Sequence, residues 1–585
     1  MEVKNNILFM KGVFSMKKFN LLSWCGVFVF ICASGSAVLA QPPASQTAGG
    51  IVQQESFPEK VMSLRDRLQE QKQDEEVVTE DVDMADEGQK ALIKEIRVQG
   101  ATLLTQAEIS NITSVYEGEE LSLKGMQKIA DLITDEYRLK GYATSRAYIP
   151  PQTIKEGVLL IKVVEGKLGD LTFEGNRYFK TDLLRDKVEL KPYGYFDYSA
   201  LQRSLVQINE HPDRIARAVL VPGREPGTTD VVIKVKDNYP FHAGFEFDNY
   251  GSRYVANYRY ALTLEHNNLL GFDDKAYYKV MVSDGYQLQM QQGRYVFPVT
   301  NDLDVGGYFL YSRSDLGEEF VDLGAGGKAS LYGVFATQTL VEENDLDIRL
   351  NAGFDYKKIK NELASLQSSR DELRIFKIGM DFDSIDRWGR NILSVEMDFG
   401  VPEIMGGMKA KDPNASRANA GATFQKGVFH FFRLHPLPWD TALLWKNSAQ
   451  YTNHNLVASE QFQIGGPTSV RGYPPAEHSG DKGYYTALEW SLPVWGLDRG
   501  IKVPFREESL YDALRFVVFY DFGFVNKKHL AAGERENQTL KGWGIGTRLN
   551  LGDDLAFRVE LGYPTGDTPS DSDHAHTWVE FQCKF

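Results

Sequence analysis

Cysteine is scarce in this chain, which holds three in 585 residues. Cys25 and Cys32 fall in a leader expected to be removed. Cys583 then stands alone, which excludes an intramolecular disulfide or a multi-cysteine metal site in the mature protein. Long apolar runs are missing too. The one stretch apolar enough to enter a bilayer as a helix, Leu21 to Ala33, is about 13 residues long where roughly 20 are needed. A mean hydropathy of −0.34 and 25% charged residues exclude a multi-helix membrane protein. Positive charge is in deficit. The net charge is −15, and −18 once Met1 to Ala40 leaves with its four lysines and one glutamate. Such a chain is a poor general nucleic-acid binder. There is no Gly-x-Ser-x-Gly elbow, no His-Glu-x-x-His pair and no nucleotide-binding loop, so the usual marks of an enzyme are absent.

Aromatic residues reach 12% and glycine numbers 52. Outer-membrane barrels use the first for interfacial girdles and the second for tight places, although a secreted β-rich protein shares that profile. Lys17-Lys18, the apolar run and Val38-Leu39-Ala40 spell a signal peptide over 1–40, cut before Gln41, with Met16 the expected start. Residues 41–90 form an acidic leader in which Glu59 to Gln73 suits a charged helix.

Two small α/β modules follow, over 91–166 and 167–238. In the first, Ile93 to Val98 reads as a strand, Thr105 and Glu108 as a capping box, and Ser122 as the cap of a helix carrying Met126, Ile129, Ile133 and Tyr137. Strands are expected over Thr144 to Tyr148 and Val158 to Val164. The second module repeats this β-α-α-β-β order, with a helix from Ser199 to Asn209 and strands over Ile215 to Val221 and Asp230 to Lys236.

From Tyr239 the pattern changes to period two. Phe241, Phe245 and Phe247 alternate with His242, Gly244 and Glu246. Tyr254, Ala256, Tyr258, Tyr260, Leu262 and Leu264 form a second run, and Tyr286, Leu288 and Met290 alternate with glutamines. In a membrane barrel each apolar face meets lipid and each polar face lines water. The last strand alternates Val579, Phe581, Cys583 and Phe585 with Glu580, Gln582 and Lys584. A closed barrel pairs that strand with the first, since open edges do not survive in lipid. The fold class expected for 239–585 is therefore an all-β transmembrane barrel of about 16 antiparallel strands. Phe516, Val518, Tyr520, Phe522 and Phe524 share one strand face, so Asp521 and Gly523 face the lumen, where Gly523 leaves space beside the acid. By the same parity Glu489, Arg548, Arg558 and Glu560 point inward, as a solvated pore lining. Facing lipid they would cost about 2–4 kcal/mol each, less for the acids. Asp571, Asp573, His574 and His576 read as a polar loop rather than a metal site.

Several short motifs remain. They are Tyr137 to Tyr142, Ile149-Pro150-Pro151-Gln152 and Glu165-Gly166, then Asn209-Glu210-His211-Pro212-Asp213-Arg214 and Pro222-Gly223. In the barrel half come Val470-Arg471-Gly472-Tyr473, Gly480-Asp481 and Phe519-Tyr520-Asp521-Phe522-Gly523. In this order and spacing the chain resembles TpsB transporters of two-partner secretion, the haemolysin secretion/activation proteins of the POTRA-bearing outer-membrane translocases. The resemblance implies POTRA-like modules in the periplasm. They would receive an unfolded exoprotein through its amino-terminal secretion domain, and the barrel would export it without ATP. It implies that the loop carrying Val470, Arg471, Gly472 and Tyr473 enters the barrel and that Arg471 meets Asp521. It also implies that the leader helix plugs the resting pore. The partners implied are the exoprotein, outer-membrane lipid, periplasmic chaperones and the barrel assembly machinery, which would meet a final strand bearing Phe581 and Phe585. No cofactor is implied. An assembly factor of the same superfamily and a passive porin are the rival readings.

Overall fold

The computed structural model describes residues 90–585 apart from 155, 318–320, 344, 365, 504, 505, 507, 532 and 553. The expected signal peptide, acidic leader and Glu59 to Gln73 helix lie outside the described residues.

In the first module, strand Val158–Val164 is central. It pairs in parallel with Glu95–Gln99 and antiparallel with Arg146–Tyr148. The helix Gln106–Thr113 starts at Thr105 with both halves of a capping box, because the Thr105 and Glu108 side chains each satisfy a backbone N–H the helix start leaves free. Helix Leu123–Leu139 begins at Ser122 and is closed by Gly141, whose φ of +89° suits glycine. Its Met126, Ile129, Ile133 and Tyr137 are buried against Ile96, Leu159 and Ile161. Each such side chain contributes about 1.5–3 kcal/mol by leaving water. Beneath them Glu165 accepts hydrogen bonds from Tyr137 Oη (2.7 Å), Leu103 N (2.8 Å) and Thr102 N (2.5 Å). Burial opposes its ionisation, yet the Thr102 hydroxyl, which donates to the same carboxylate, together with these donors outweighs it and holds the Glu165 carboxyl below the usual carboxylate range.

The second module repeats the plan. Lys167–Glu174 runs parallel to Thr228–Asp237, which pairs antiparallel with Arg214–Pro222, and helices Thr181–Asp186 and Tyr198–Asn209 cover the sheet.

Among the described residues, sixteen antiparallel strands from Phe241–Asp248 to His576–Lys584 close on themselves. The seam pairs Glu580 with Asp248 through Lys584 with Gly244, and Phe585 N donates to Ala243 O at 2.7 Å. Strand parity follows the sequence on the lipid-facing side. Phe516, Val518 and Tyr520 are exposed, as are Leu488, Trp490, Trp543 and Ile545, while Asp521 and Glu489 are buried inside.

Two expectations are corrected. The run Tyr254 to Leu264 is not one strand: the strand is Arg259–His266, and Tyr254 to Asn257 belong to the turn before it, with Ala256 at φ +137°. The run Tyr286 to Met290 also has the opposite phase. Tyr286 sits in a turn, Leu288 and Met290 are buried inside with Met281, Leu310 and Leu331, and Gln289 and Gln291 are exposed outside. These positions adjoin the barrel end remote from the modules. The paired strand Leu303–Asp315, at 13 residues, and Leu366–Asp386 farther round the wall, at 21, exceed the ~9–11 that span a bilayer. Beyond the lipid the outer face meets water and polar residues belong there. The inner face then packs as an ordinary apolar core.

Candidate functional site: a loop locked in the barrel

Strand Thr441–Thr452 reaches the remote end of the barrel, and the chain returns to the wall only at Lys482–Pro493. The segment between them turns inward. A short hairpin, Phe462–Ile464 paired with His478–Gly480, carries its tip. Gly465 and Gly466, at φ +107° and +93°, make the bend that an L side chain resists. Ser469 Oγ accepts from Gly465 N (2.7 Å) and Val470 N (2.6 Å), and Gly466 N donates to Tyr473 O (2.9 Å), so the tip is internally fixed. Val470 and Tyr473 are fully buried with Ile464, Tyr485, Val525 and Leu540.

Arg471 is 2% exposed. Its Nε and Nη2 donate to the two oxygens of Asp521 at 2.8 and 2.6 Å, and its backbone N–H reaches the same carboxylate at 3.1 Å. Nη1 lies 2.8 Å from Glu489 Oε1 and donates to Glu560 Oε2 at 3.1 Å. The guanidinium stacks on Phe519, 3.4 Å from the ring centroid, and Trp578 Nε1 donates to the Arg471 carbonyl at 2.8 Å. Arg548 pairs with Glu489 (2.9 Å) and again with Glu560, Lys446 pairs with Glu489 (2.8 Å), and Arg558 reaches Glu580 (3.4 Å). Four cations thus meet four carboxylates. That balance makes so many buried charges tenable, and the loss of one partner costs about 3–5 kcal/mol. Glycines admit the tip. A Cβ on Gly472 would sit 2.6 Å from Pro564 N, and one on Gly523 would sit 2.9 Å from Val470 Cγ2.

The structure therefore brings Arg471, Asp521, Glu489, Arg548 and Glu560 into one network, with Arg558 at its edge. The expectation of a solvated lining is corrected for Glu489 and Glu560, which the loop tip buries through Arg471, whereas Arg548 and Arg558 pair with these acids and remain partly exposed to the lumen. Phe581 and Phe585 lie apart from the network, on the closing strand and just past its end.

No sequence motif marks Lys446 or Trp578, and Phe519 belongs to the Asp521 motif without that motif announcing its stacking on Arg471. Strand parity is the signal that would have found them, since each has the same phase as an inward charge on its own or a paired strand. Two further anchors hold the ends of the inward segment. Glu460, 1% exposed, accepts from Lys357 Nζ and Lys426 Nζ, each at 2.6 Å. Asp481, fully buried, accepts from Arg417 Nη1 (2.7 Å), Leu456 N (2.8 Å) and Lys528 N (2.7 Å). Asp481 belongs to a motif legible in the sequence, whereas nothing local marks Glu460.

The motif Asn209 to Arg214 lies elsewhere, between the second module and the barrel. Arg214, 2% exposed, donates from both terminal nitrogens to Asp273 at 2.6 and 2.7 Å in the turn after strand Arg259–His266. Asn267 Nδ2 donates to Asp213 at 2.9 Å, and His242 Nε2 lies 2.6 Å from the same carboxylate. His211 Nδ1 accepts from Asp213 N at 3.2 Å, so Nε2 carries the proton toward Asn267 O at 2.7 Å. Burial and the Arg214 charge push the His211 imidazole down to about 4. On the last loop His576 Nε2 lies 2.8 Å from Asp571, with Asp573 close by. This is a group able to offer a metal three donors, and His574 is not part of it.

The family model described as haemolysin secretion/activation protein ShlB/FhaC/HecB matches residues 227–549, and the ShlB-type POTRA domain model matches 91–166. The heme/hemopexin transporter protein HuxB of Haemophilus influenzae is 23% identical over 81% of this chain and 83% of its own length. The outer membrane transporter CdiB of Escherichia coli is 26% identical over 69% and 70%. Among solved structures, CdiB from Escherichia coli superposes with a TM-score of 0.69 at 21% identity, covering 94% of this chain and all of the other. BamA from Haemophilus ducreyi, lacking POTRA domains 1–3, gives 0.53 at 14% identity over 85% of this chain and all of the other, a likeness of fold alone.

Proposed function

From the premise that the chain belongs to the haemolysin secretion/activation protein family, we propose the following working cycle. The protein is an outer-membrane transporter of two-partner secretion, with its POTRA modules in the periplasm. They receive an unfolded exoprotein by its amino-terminal secretion domain, and a sheet edge such as Arg214–Pro222 can take an extended segment as an added strand. The barrel passes the chain outward, and folding outside the cell removes the states that slip back. No catalytic residue enters this reading. Periplasmic chaperones deliver the protein to the barrel assembly machinery, which engages the strand ending in Phe581 to Phe585.

The carrying observation is the loop seated on Asp521, Glu489 and Glu560 through Arg471. In that position it obstructs the lumen, so export requires it to shift. The test is deletion of the gene with complementation. Loss of one large protein from the culture fluid, with other outer-membrane barrels at normal abundance, is expected. A general loss of outer-membrane barrels would point to an assembly factor instead.

A further inference from the structure

The Arg214–Asp273 clasp fixes the face of the second module turned toward the barrel rim. The loop Gly175 to Lys180 lies on that face. Asp237 holds it, accepting from the backbone N–H of Arg177, Tyr178 and Phe179 at 2.8, 2.7 and 3.2 Å. Tyr178 packs edge-on against Tyr239 at 5.5 Å, and Lys180 Nζ stands 5.7 Å from the ring centroid of Phe272 on the clasped turn. Around them the rim is apolar and open. Leu269, Leu270 and Phe272 are each more than half exposed, in continuity with the lipid-facing wall at Phe297 and Val299. Two cations are thus held where the hydrocarbon of the leaflet gives way to its headgroups. Arg177 and Lys180 are exposed, and among the described residues neither joins an ion pair; Arg177 rests on the Tyr178 ring at 5.1 Å. In a chain of net charge −15, this module carries twelve basic side chains against eleven acidic ones, so an anionic surface does not repel it.

We propose that Arg177 and Lys180, backed by the Leu269 to Phe272 turn, form a phospholipid headgroup site on the periplasmic leaflet. The planar guanidinium suits two phosphate oxygens and the ammonium a third, while the apolar turn covers the acyl region below. The contact steadies the second module against the membrane while cargo pulls on it. It rests on the barrel standing in lipid, but its readout does not depend on export, so the two readings stand or fall separately.

The test uses the full chain in phosphatidylglycerol nanodiscs, in nanodiscs of a phosphate-free galactolipid, and in maltoside detergent. Acylation of the Lys180 amine by a water-soluble succinimidyl ester is followed by peptide mass spectrometry, with exposed Lys191 as reference. Lys180 is expected to react about fivefold more slowly in phosphatidylglycerol than in detergent, with Lys191 unchanged. Arg177→Gln should bring the difference below about twofold. Equal rates in phosphatidylglycerol and detergent would overturn the proposal. So would equal slowing in the galactolipid, which means apolar cover alone, or slowing in detergent on adding inorganic phosphate, which means a free-anion site.

Discussion

Arg471 grips Asp521 with two side-chain nitrogens, at 2.8 and 2.6 Å, and with its own backbone N–H. A loop tip is thereby tied to a wall strand fifty residues on. Arg471→Ala leaves three carboxylates short of a cation, a loss of about 3–5 kcal/mol at the site. Export should fall severalfold while heat-modifiable, folded barrel stays at equal abundance in the membrane. Exchange of the pair, Arg471→Asp with Asp521→Arg, should recover only part of the export, because Glu489 and Glu560 then face the new carboxylate. Normal secretion by Arg471→Ala at equal abundance would refute the anchoring role.

Glu460→Gln leaves Lys357 and Lys426 without their shared carboxylate, with Asp398 at 3.4 Å the remaining partner of Lys426. The inward segment loses its hold on the wall strands that carry Lys357 and Lys426, the second of which adjoins the strand of Lys446. Planar-bilayer recordings should show larger or more frequent openings than the wild type. An unchanged trace would leave Glu460 a folding residue only.

Gly472→Ala forces a Cβ against the backbone at Pro564 N and Tyr563 C, 2.6 and 2.7 Å away, which neither strand nor tip can relieve. The tip should fail to seat, and export should drop as for Arg471→Ala. Gly307→Ala is the matched control. Its Cβ meets nothing nearer than 3.5 Å and its export should be normal. Equal export by the two variants would show that close approach at Gly472 does not matter.

His211 stays neutral in the folded junction, with its ring down at about 4 through burial and the facing Arg214; Asp213, Asp273 and Lys275 complete its surroundings. Below the unfolded value near 6.5 the unfolded chain binds the proton that the folded one refuses. Stability is therefore full above about pH 6.5 and declines as the pH falls toward 4, by about 3 kcal/mol at most. Spin labels on the second module and the barrel should show a broader distance distribution at pH 4.5 than at pH 7.5. His211→Gln should flatten that dependence. An identical distribution at both pH values would argue against the junction as a proton-sensitive contact.

Alternation alone places Phe516, Val518 and Tyr520 toward lipid and Asp521 toward the lumen. A strand has only two faces, and a charge on the lipid side is too costly. Helix caps at Thr105 and Ser122 were legible for a similar reason, since the partners lie within three residues. The phase of Leu288 and Met290 was not legible. Apolar alternation marks a buried face without saying whether lipid or neighbouring side chains bury it.

The one-dimensional order thus determined the barrel class and the strand faces that carry Asp521, Glu489 and Glu560, both of which depend on local periodicity. Only the tertiary structure decided that Glu489 and Glu560 leave water to meet Arg471 and Arg548, that Glu460 finds two lysines, and that Arg214 finds Asp273. Those pairings join residues separated by 12 to 103 positions. Such contacts arise from barrel closure and loop insertion, which no local pattern encodes.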